Sequence, residues 1–281
     1  MKLMRVGPKG AENPAILDAD GVIRDVSAHV ADIDGSALSP DGLAQLAAID
    51  PASLPMVAEG TRIGPCMGNI GKLCCVGLNY SDHAAETGAE VPPEPILFGK
   101  AVTSVSGPFD DIETPRGSDA LDYEVEIAIV IGTRAKNVAE ANAMDHVAGF
   151  AVFNDVSERT FQTKRSGQWL KGKSHDSFGP LGPWMVTRDE IADVDNLPMF
   201  LDVNGERRQT GNTSTMIFKI PHIVSYISQF MTLYPGDVIP TGTPPGVAMG
   251  MTPPGWLKPG DVVELGIEGL GTQRQTVAGD V

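Results

Sequence analysis

The sequence predicts an α+β fold rich in β-strands, not a doubly wound parallel sheet. Short apolar runs bounded by turn signals recur along the chain, while helical spacing of apolar residues is confined to few segments. Glycine and proline are abundant, with 32 and 22 copies in 281 residues, which is typical of a chain with many turns. The length allows a large unit over residues 71–281 and a small accessory α+β unit over residues 1–70.

In the small unit, "PAILDADGVIRDVS" contains two short apolar runs around Asp20-Gly21 and predicts a β-hairpin. The segment "SPDGLAQLAAI" predicts a helix, with Ser39 as its N-cap and Pro40 at the first helical position. A stretch rich in proline and glycine then leads to the large unit.

In the large unit, "LCCVG", "DYEVEIAIVIG" and "HVAGFAVFNDVS" predict strands, of which the second is the strongest in the chain. "MFLDVNGERRQT" predicts a hairpin around Asn204-Gly205. "IPHIVSYISQFMTLY" has helical spacing, with Pro221 near its start. "PGDVIPTG" and "PGDVVELGIEG" each predict a turn followed by a strand.

Composition excludes several classes of function. A formal net charge of −15 disfavours binding to nucleic acid or to an anionic membrane, since both need a basic face. The chain has no apolar run of 18 residues, so we expect no membrane span. Three cysteines without a CxxC motif indicate a reduced, cytoplasmic protein in which the thiols pack as small apolar groups.

The segment "GQWLKGKS", residues 167–174, matches the phosphate-loop pattern letter for letter. That pattern binds nucleotides only between a strand and a helix. Here "TKRS" precedes it, and "HDSFGPLGP" follows with glycines and prolines that cannot continue a helix. We therefore reject nucleotide binding, which leaves Lys173 to be explained otherwise.

The strongest predicted strand begins with carboxylates. Asp122, Glu124 and Glu126 share one face of "DYEVEIAIVIG", because side chains alternate along a strand. Two carboxylates about 4 Å apart repel by about 4 kcal/mol at an effective dielectric constant near 20. A solvent-facing acidic strand end is the plainer interpretation. The alternative is a divalent cation, with Asp155 at the end of the next strand as a third oxygen ligand and Arg159 and Gln162 in the loop beyond. Such a site would take Mg²⁺, with Mn²⁺ and Ca²⁺ as alternatives.

His83 and Glu86 stand at helical spacing shortly after the "LCCVG" run. Such a pair is more often an exposed surface pair than a catalytic dyad. Its neighbours in the sequence have to decide between the two interpretations.

Taken together, six segments resemble the fumarylacetoacetate hydrolase superfamily over roughly residues 70–281. They are "GLNYSDHAAE", "PILFGKA", "DYEVEIAIVIG", "FNDVSERTFQ", "KGKSHDSFGPLGP" and "IPTGTPPGV". The N-terminal stretch and the "SGQW", "GNTSTMIF" and "GIEGLGTQRQT" segments look most like the bacterial members that hydrolyse 2,4-diketo-3-deoxy sugar acids.

The resemblance implies a mixed β-roll fold, a dimer or higher homo-oligomer, and a hydrolase acting on carbon–carbon bonds of a small diketo acid. It implies a metal site at Glu124, Glu126 and Asp155, and catalytic roles for His83, Glu86 and Lys173. It further implies substrate contacts from Lys100, Arg159, Gln162 and Thr243.

One position departs from the pattern. Some acylpyruvate-cleaving members have an arginine immediately before "NY", where this chain has Leu78. Acylpyruvate hydrolysis, oxaloacetate decarboxylation and ureidoglycolate cleavage stay open as alternatives on the same metal site, and so does metal binding without catalysis. The polar run Asn212–Thr215 either contacts a hydroxylated substrate tail or forms an ordinary turn before a helix.

Overall fold

A computed structural model describes residues 1–82 and 91–280 of the chain. Two sheets of seven and five strands dominate the architecture, with three two-stranded pairs and a few short helices around them. The strand-rich α+β fold class predicted from the sequence is confirmed. None of the helices in the described residues combines the length and the apolar character that a membrane crossing requires.

The seven-stranded sheet is antiparallel throughout. Its strands, in chain order, are β1 (Lys2–Val6), β2 (Asn13–Leu17), β3 (Ile23–Asp25), β9 (Val125–Ile131), β10 (Val147–Asn154), β13 (Met185–Thr187) and β16 (Val238–Pro240). Across the sheet the order is β16-β9-β10-β13-β1-β2-β3.

The N-terminal strands extend this sheet. Strand β1 pairs with β13, with Lys2 opposite Val186 and Leu3 opposite Met185. The predicted hairpin around Asp20-Gly21 forms between β2 and β3. A domain boundary near residue 70 stays a prediction, and hydrogen bonding in the sheet is continuous across the two units.

The five-stranded sheet has the order β15-β14-β17-β18-β7, and only the β18-β7 pair is parallel. Its strands are β7 (Ile112–Thr114), β14 (Pro198–Val203), β15 (Glu206–Asn212), β17 (Val262–Ile267) and β18 (Gly271–Asp280). The β14–β15 hairpin turns at Asn204-Gly205, where both residues have positive φ, 52° and 78°. Asparagine and glycine are the residues that tolerate this tight turn best.

The remaining strands form short pairs. They are β4 (Cys74–Gly77) with β5 (Ile96–Gly99), β6 (Val105–Ser106) with β12 (Gly179–Pro180), and β8 (Leu121–Asp122) with β11 (Ser157–Glu158).

Three α-helices with both ends inside the described residues, and several tighter turns, lie between the strands. The α-helices are α1 (Pro40–Ala47), α2 (Leu170–Lys173) and α3 (Ile220–Phe230). The 3₁₀ turns are Pro51–Ser53, Val102–Ser104, Glu140–His146, Arg188–Glu190, Thr213–Thr215 and Ala248–Gly250, and Thr160–Lys164 forms a π-helical turn. Ser39 caps α1 as predicted, because its side chain accepts a hydrogen bond from Gly42 N.

Strand β9 is buried on both faces. Val125, Ile127, Ile129 and Ile131 pack in a cluster with α3 and the five-stranded sheet. Ala128 and Val130 pack on the other face against N-terminal residues that include Leu38 and Leu46. This burial explains the continuous apolar run, and it places the acidic start of the segment beside the core.

Candidate metal centre and substrate cavity

Antiparallel pairing of β9 and β10 brings the three predicted metal ligands together. The end of β10 lies beside the start of β9, with Asn154 opposite Val125. Asp155 follows β10, and its backbone N–H donates to Glu124 O at 2.9 Å. The side chain of Asn154 accepts from Glu124 N at 3.2 Å. Glu124 and Glu126 from one strand thus meet Asp155 from the next.

The three carboxylates are buried, and one oxygen from each lies within 4.8 Å of the others. Oxygen donors in this number suit Mg²⁺, Mn²⁺ or Ca²⁺, which take carboxylates together with water or substrate oxygens. Burial, reinforced by repulsion from Asp155 and Glu124, holds the pKa of Glu126 well above its usual value. A divalent cation would relieve this repulsion, so the donor set fits the metal that the sequence predicted.

Lys173 forms ion pairs with two of these carboxylates. Its Nζ lies 2.6 Å from Glu124 Oε2 and 2.8 Å from Asp155 Oδ2, and the side chain is buried. Burial alone would lower the pKa of Lys173, but Asp155 and Glu124 outweigh it and raise the pKa. The lysine of the misleading phosphate-loop match therefore belongs to the carboxylate cluster.

Helix α2 lies close enough to place Lys173 in the cluster because Gly172 lets its backbone approach that of Gln162. A Cβ at Gly172 would lie 2.4 Å from the backbone nitrogen of Gln162. Only glycine fits between the single turn of α2 and the π-helical turn that carries Gln162. Isolated π turns of this kind often mark functional sites.

Lys100 also contacts the carboxylate cluster. Its Nζ forms an ion pair with Asp155 Oδ1 and donates to Val156 O at 3.1 Å. The side chain is fully buried, and it is not among the described residues that line the cavity. A substrate contact for Lys100 stays a prediction, whereas its ion pair with Asp155 holds one carboxylate of the candidate metal centre in place.

Arg159 joins the cluster to a fourth carboxylate. Its Nε donates to Asp122 Oδ2 at 2.8 Å, its Nη2 to Glu124 Oε1 at 2.6 Å, and its Nη1 to Gln162 Oε1 at 3.0 Å. Burial on its own would raise the pKa of Glu124, but Lys173 and Arg159 reverse the effect and lower it to about 2. Glu124 is thus an anion at neutral pH even without a metal.

Asp122 was not predicted as a site residue. Besides Arg159, it accepts hydrogen bonds from the backbone of Ala248 at 2.7 Å and of Met249 at 3.1 Å. It therefore ties Arg159 to the 3₁₀ turn whose Met249 lines the cavity. Its position on the same strand face as Glu124 and Glu126 is the sequence feature that could have identified it as a site residue.

A cavity of about 270 Å³ opens onto the carboxylates. This volume lies near the lower end of small-molecule sites, so it suits a small substrate. Its described walls consist of Val76, Gly77, Leu78, Phe98, Glu124, Glu126, Arg159, Gln162, Thr163, Trp169, Lys173, Gly242, Thr243 and Met249.

Three predicted substrate contacts, Arg159, Gln162 and Thr243, lie in this wall. The hydroxyl of Thr243 donates to Val125 O at 2.9 Å and accepts from Gln209 Nε2 at 2.8 Å. Backbone N–H of the neighbouring Gly242 donates to Glu126 Oε2 at 2.8 Å. The loop after β16 thus supports both the metal ligand and the wall of the cavity.

Other predictions lie elsewhere. His83 and Glu86 fall outside the described residues, so their dyad stays a prediction. The polar run Asn212–Thr215 is not among the described cavity residues. Thr213 Oγ1 accepts a hydrogen bond from Leu197 N and donates one to Val194 O. The side chain of Asn212 caps the 3₁₀ turn that follows it. These contacts favour the ordinary polar turn.

Sequence comparison agrees with this geometry. The profile of the fumarylacetoacetate (FAA) hydrolase C-terminal family matches residues 72–278. A relative from Burkholderia lata that bears only a general hydrolase name is 57% identical over 276 residues, covering 98% of both chains. The chain belongs to the fumarylacetoacetate hydrolase family.

Solved structures similar to this chain include enzymes of the family. A fumarylacetoacetate hydrolase from Exiguobacterium antarcticum is 36% identical with a TM-score of 0.89, covering 99% of both chains. A protein from Mycobacterium abscessus described as a 2-hydroxyhepta-2,4-diene-1,7-dioate isomerase is 31% identical with a TM-score of 0.85, covering 100% of both. Maleylpyruvate hydrolase from Sphingobium sp. SYK-6, complexed with manganese(II) and pyruvate, is 26% identical with a TM-score of 0.82, covering 100% of both.

Proposed function

We propose that the chain is a metal-dependent hydrolase that cleaves the C3–C4 bond of a 2,4-dioxo acid. The observation that carries this proposal is a cluster of three buried carboxylates, two of which, Glu124 and Glu126, line a small cavity. Lys173 and Arg159 line the same end of the cavity and provide positive charge beside the carboxylates. Such an end suits a small anion that presents several oxygens.

The charge of the site agrees with an anionic substrate. Four carboxylates, those of the three metal ligands and Asp122, face three cations, Lys100, Lys173 and Arg159. With all of them ionised, one negative charge is in excess. A divalent cation held by Glu124, Glu126 and Asp155 would reverse this sign and supply Lewis-acid polarisation of a 2-oxo carboxylate.

The chain's own residues would then bind and orient the substrate. Lys173 Nζ and the Gln162 amide line the cavity and can donate to oxygens whose negative charge grows in the transition state. Arg159 holds Gln162 and Glu124 in place through hydrogen bonds.

The proton chemistry is assigned to His83, which the family resemblance matches to the catalytic base. His83 would remove a proton from the water that attacks C4, and Glu86 would orient the imidazole and stabilise its cation. Collapse of the C4 adduct breaks the C3–C4 bond, whose electron pair leaves with C3 as the enolate of pyruvate. The proton taken up by His83 is returned to C3, which gives pyruvate and the acid formed at C4.

For the substrate, we propose a 2,4-diketo-3-deoxy sugar acid, with the L-rhamnonate derivative as the first choice. Its hydrolysis gives pyruvate and L-lactate. The resemblance of "SGQW", "GNTSTMIF" and "GIEGLGTQRQT" to sugar-acid hydrolases supports this choice. The likeness to a maleylpyruvate hydrolase complexed with manganese(II) and pyruvate supports a metal-assisted reaction that forms pyruvate. A homodimer in the cytoplasm with Mg²⁺ as the metal completes the proposal.

A second candidate is isomerisation of an unsaturated oxo acid on the same site. The likeness to the M. abscessus protein described as an isomerase favours it. Acylpyruvate hydrolysis, oxaloacetate decarboxylation and ureidoglycolate cleavage would use the same metal end of the cavity.

A substrate panel separates these reactions. The enzyme with Mg²⁺ is given the diketo sugar acid, acetylpyruvate, oxaloacetate, ureidoglycolate and an unsaturated hydroxy diacid, and kcat/KM is compared. The proposal expects the diketo sugar acid to have the highest value. Faster turnover of oxaloacetate, ureidoglycolate or the diacid than of both diketo acids would overturn it.

A further inference from the structure

Part of the cavity wall is aromatic and apolar. Phe98 and Trp169 meet edge to face there, with ring centroids 5.2 Å apart. Val76 and Leu78 also line the cavity. Every charged side chain among the described lining residues, by contrast, belongs to the carboxylate cluster or its two cations. The cavity therefore has a charged end and an uncharged end.

Phe98 connects the two ends. Its ring lies 5.2 Å from Lys173 Nζ on one side and packs against Trp169 on the other. A ligand whose carboxylate and 2-oxo group occupy the charged end would extend its remaining carbon atoms toward these rings.

Trp169 reaches this position because residue 77 is glycine. A Cβ at Gly77 would lie 2.7 Å from Trp169 Cζ3 and 3.1 Å from Cη2, closer than packed atoms tolerate. The indole thus rests directly on the backbone of β4. One methyl group at residue 77 would displace it, and the nearest atoms to that methyl group belong to Trp169 and Phe98.

We propose that Phe98, Trp169 and Leu78 form the subsite for the distal end of the substrate, and that this subsite selects a short uncharged tail ending in a methyl group. This assignment rests on the proposed function, since the tail belongs to a 2,4-dioxo acid. It deepens that proposal by favouring deoxy tails over tails that end in a hydroxymethyl or carboxylate group.

The wall also has room for one polar contact. Thr163 Oγ1 donates to Arg159 O at 2.8 Å, so its lone pairs can accept from a hydroxyl group on the tail. A tail with one hydroxyl and one terminal methyl matches this arrangement. A second charge would lie against the aromatic rings without a partner among the described residues, which is unfavourable.

The test compares two ligands of equal chain length that cannot be hydrolysed between C3 and C4. 2-Oxohexanoate ends in a methyl group, and 2-oxoadipate ends in a carboxylate. Their Kd values are measured by calorimetry on the Mn²⁺-loaded full chain, so that the readout does not depend on turnover. The wild type is expected to bind 2-oxohexanoate at least tenfold more tightly.

Trp169→Ala and Gly77→Ala are the test variants. Each is expected to weaken binding of 2-oxohexanoate by about tenfold while changing pyruvate binding less than twofold. Burial of each CH₂ is worth about fourfold in affinity, so lost contact with two methylenes accounts for this effect. Leu170→Ala is the matched control, because Leu170 is exposed and is not among the described cavity residues.

Binding of the two ligands tests the subsite separately from the proposed hydrolysis. Equal or tighter binding of 2-oxoadipate by the wild type, or variants that behave like Leu170→Ala, would overturn the subsite even if diketo acids are hydrolysed. The expected preference without hydrolysis of any diketo acid would support the subsite and overturn the proposed function.

Discussion

Lys173 Nζ lies 2.6 Å from Glu124 Oε2, so a buried ammonium neutralises one of the three carboxylates of the candidate metal centre. Removing one partner of a buried ion pair leaves the other charge unpaired, at a cost of about 3–5 kcal/mol. We expect Lys173→Met to lower the stability of the metal-free protein by about this amount. Chemical denaturation measures the loss.

The same substitution should lower kcat by roughly 10²–10³-fold, since a positioned cation in a dry site stabilises developing charge. Lys171→Met is the control, because Lys171 lies two residues away and is exposed. An unchanged kcat in Lys173→Met would assign this lysine to stability alone.

Glu126→Gln tests the metal ligands. An amide keeps the size of the side chain but removes its charge, so we expect metal affinity to fall by at least tenfold. Binding of Mn²⁺ is followed by electron paramagnetic resonance, independent of turnover. Glu268→Gln serves as the control, since Glu268 is an exposed carboxylate distant in sequence from the centre. Wild-type Mn²⁺ affinity in Glu126→Gln would exclude Glu126 as a ligand.

His83→Ala tests the dyad. If His83 removes the proton from water, kcat should fall by about 10²–10⁴-fold, the usual contribution of a positioned base. Mn²⁺ affinity should stay within twofold of wild type, because His83 is not one of the three carboxylate ligands. Decarboxylation of oxaloacetate needs no attacking water, so its persistence in the variant would mark a separate activity. Near-normal hydrolysis would return His83 to the surface-pair interpretation.

The three cysteines are expected to be unreactive. Burial raises the pKa of Cys66 to about 12 and that of Cys74 to about 11. Burial, with Asp155 nearby, raises the pKa of Cys75 well above its ordinary value. At pH 8 the native thiols are therefore neutral, and a disulfide reagent should label them only after denaturation.

The direction in which stability changes with pH follows from the same raised thiol pKa values. Thiols of the unfolded chain ionise near pH 9, before the native ones, so their contribution to stability is present below pH 9 and is lost between about pH 9 and 12. Urea midpoints measured from pH 8 to 11 check this trend. Rapid labelling of native protein at pH 8 would instead show that at least one cysteine is accessible and reactive.

Local sequence patterns predicted which carboxylates come together in the candidate metal centre. Alternation along "DYEVEIAIVIG" placed Glu124 and Glu126 on one face, and the end of the next strand supplied Asp155. Both signals depend on neighbouring residues and on one antiparallel pair. The strand itself begins at Val125, because Asp122 pairs with Ser157 in β8–β11 and the Asn154 side chain binds Glu124 N.

Other features depend on contacts that no local pattern encodes. The pairing of β1 with β13 joins residues about 180 positions apart in the chain. The Phe98–Trp169 wall combines a strand end with the turn before α2, and only the tertiary structure places them together. Asp122 lies on the same strand face as Glu124 and Glu126, which the sequence showed. Its hydrogen bonds connect Arg159 to the turn that contains Met249, and Met249 is more than 120 residues away in the chain.

The most direct test of the central claim is the stoichiometry of products with and without metal. The full chain is freed of metal with a chelator, then assayed on the diketo sugar acid before and after Mg²⁺ or Mn²⁺ is restored. We predict one pyruvate and one second carboxylic acid per molecule consumed, in the metal-restored enzyme only. Full activity in the chelated enzyme, or consumption of the substrate without pyruvate, would contradict the account.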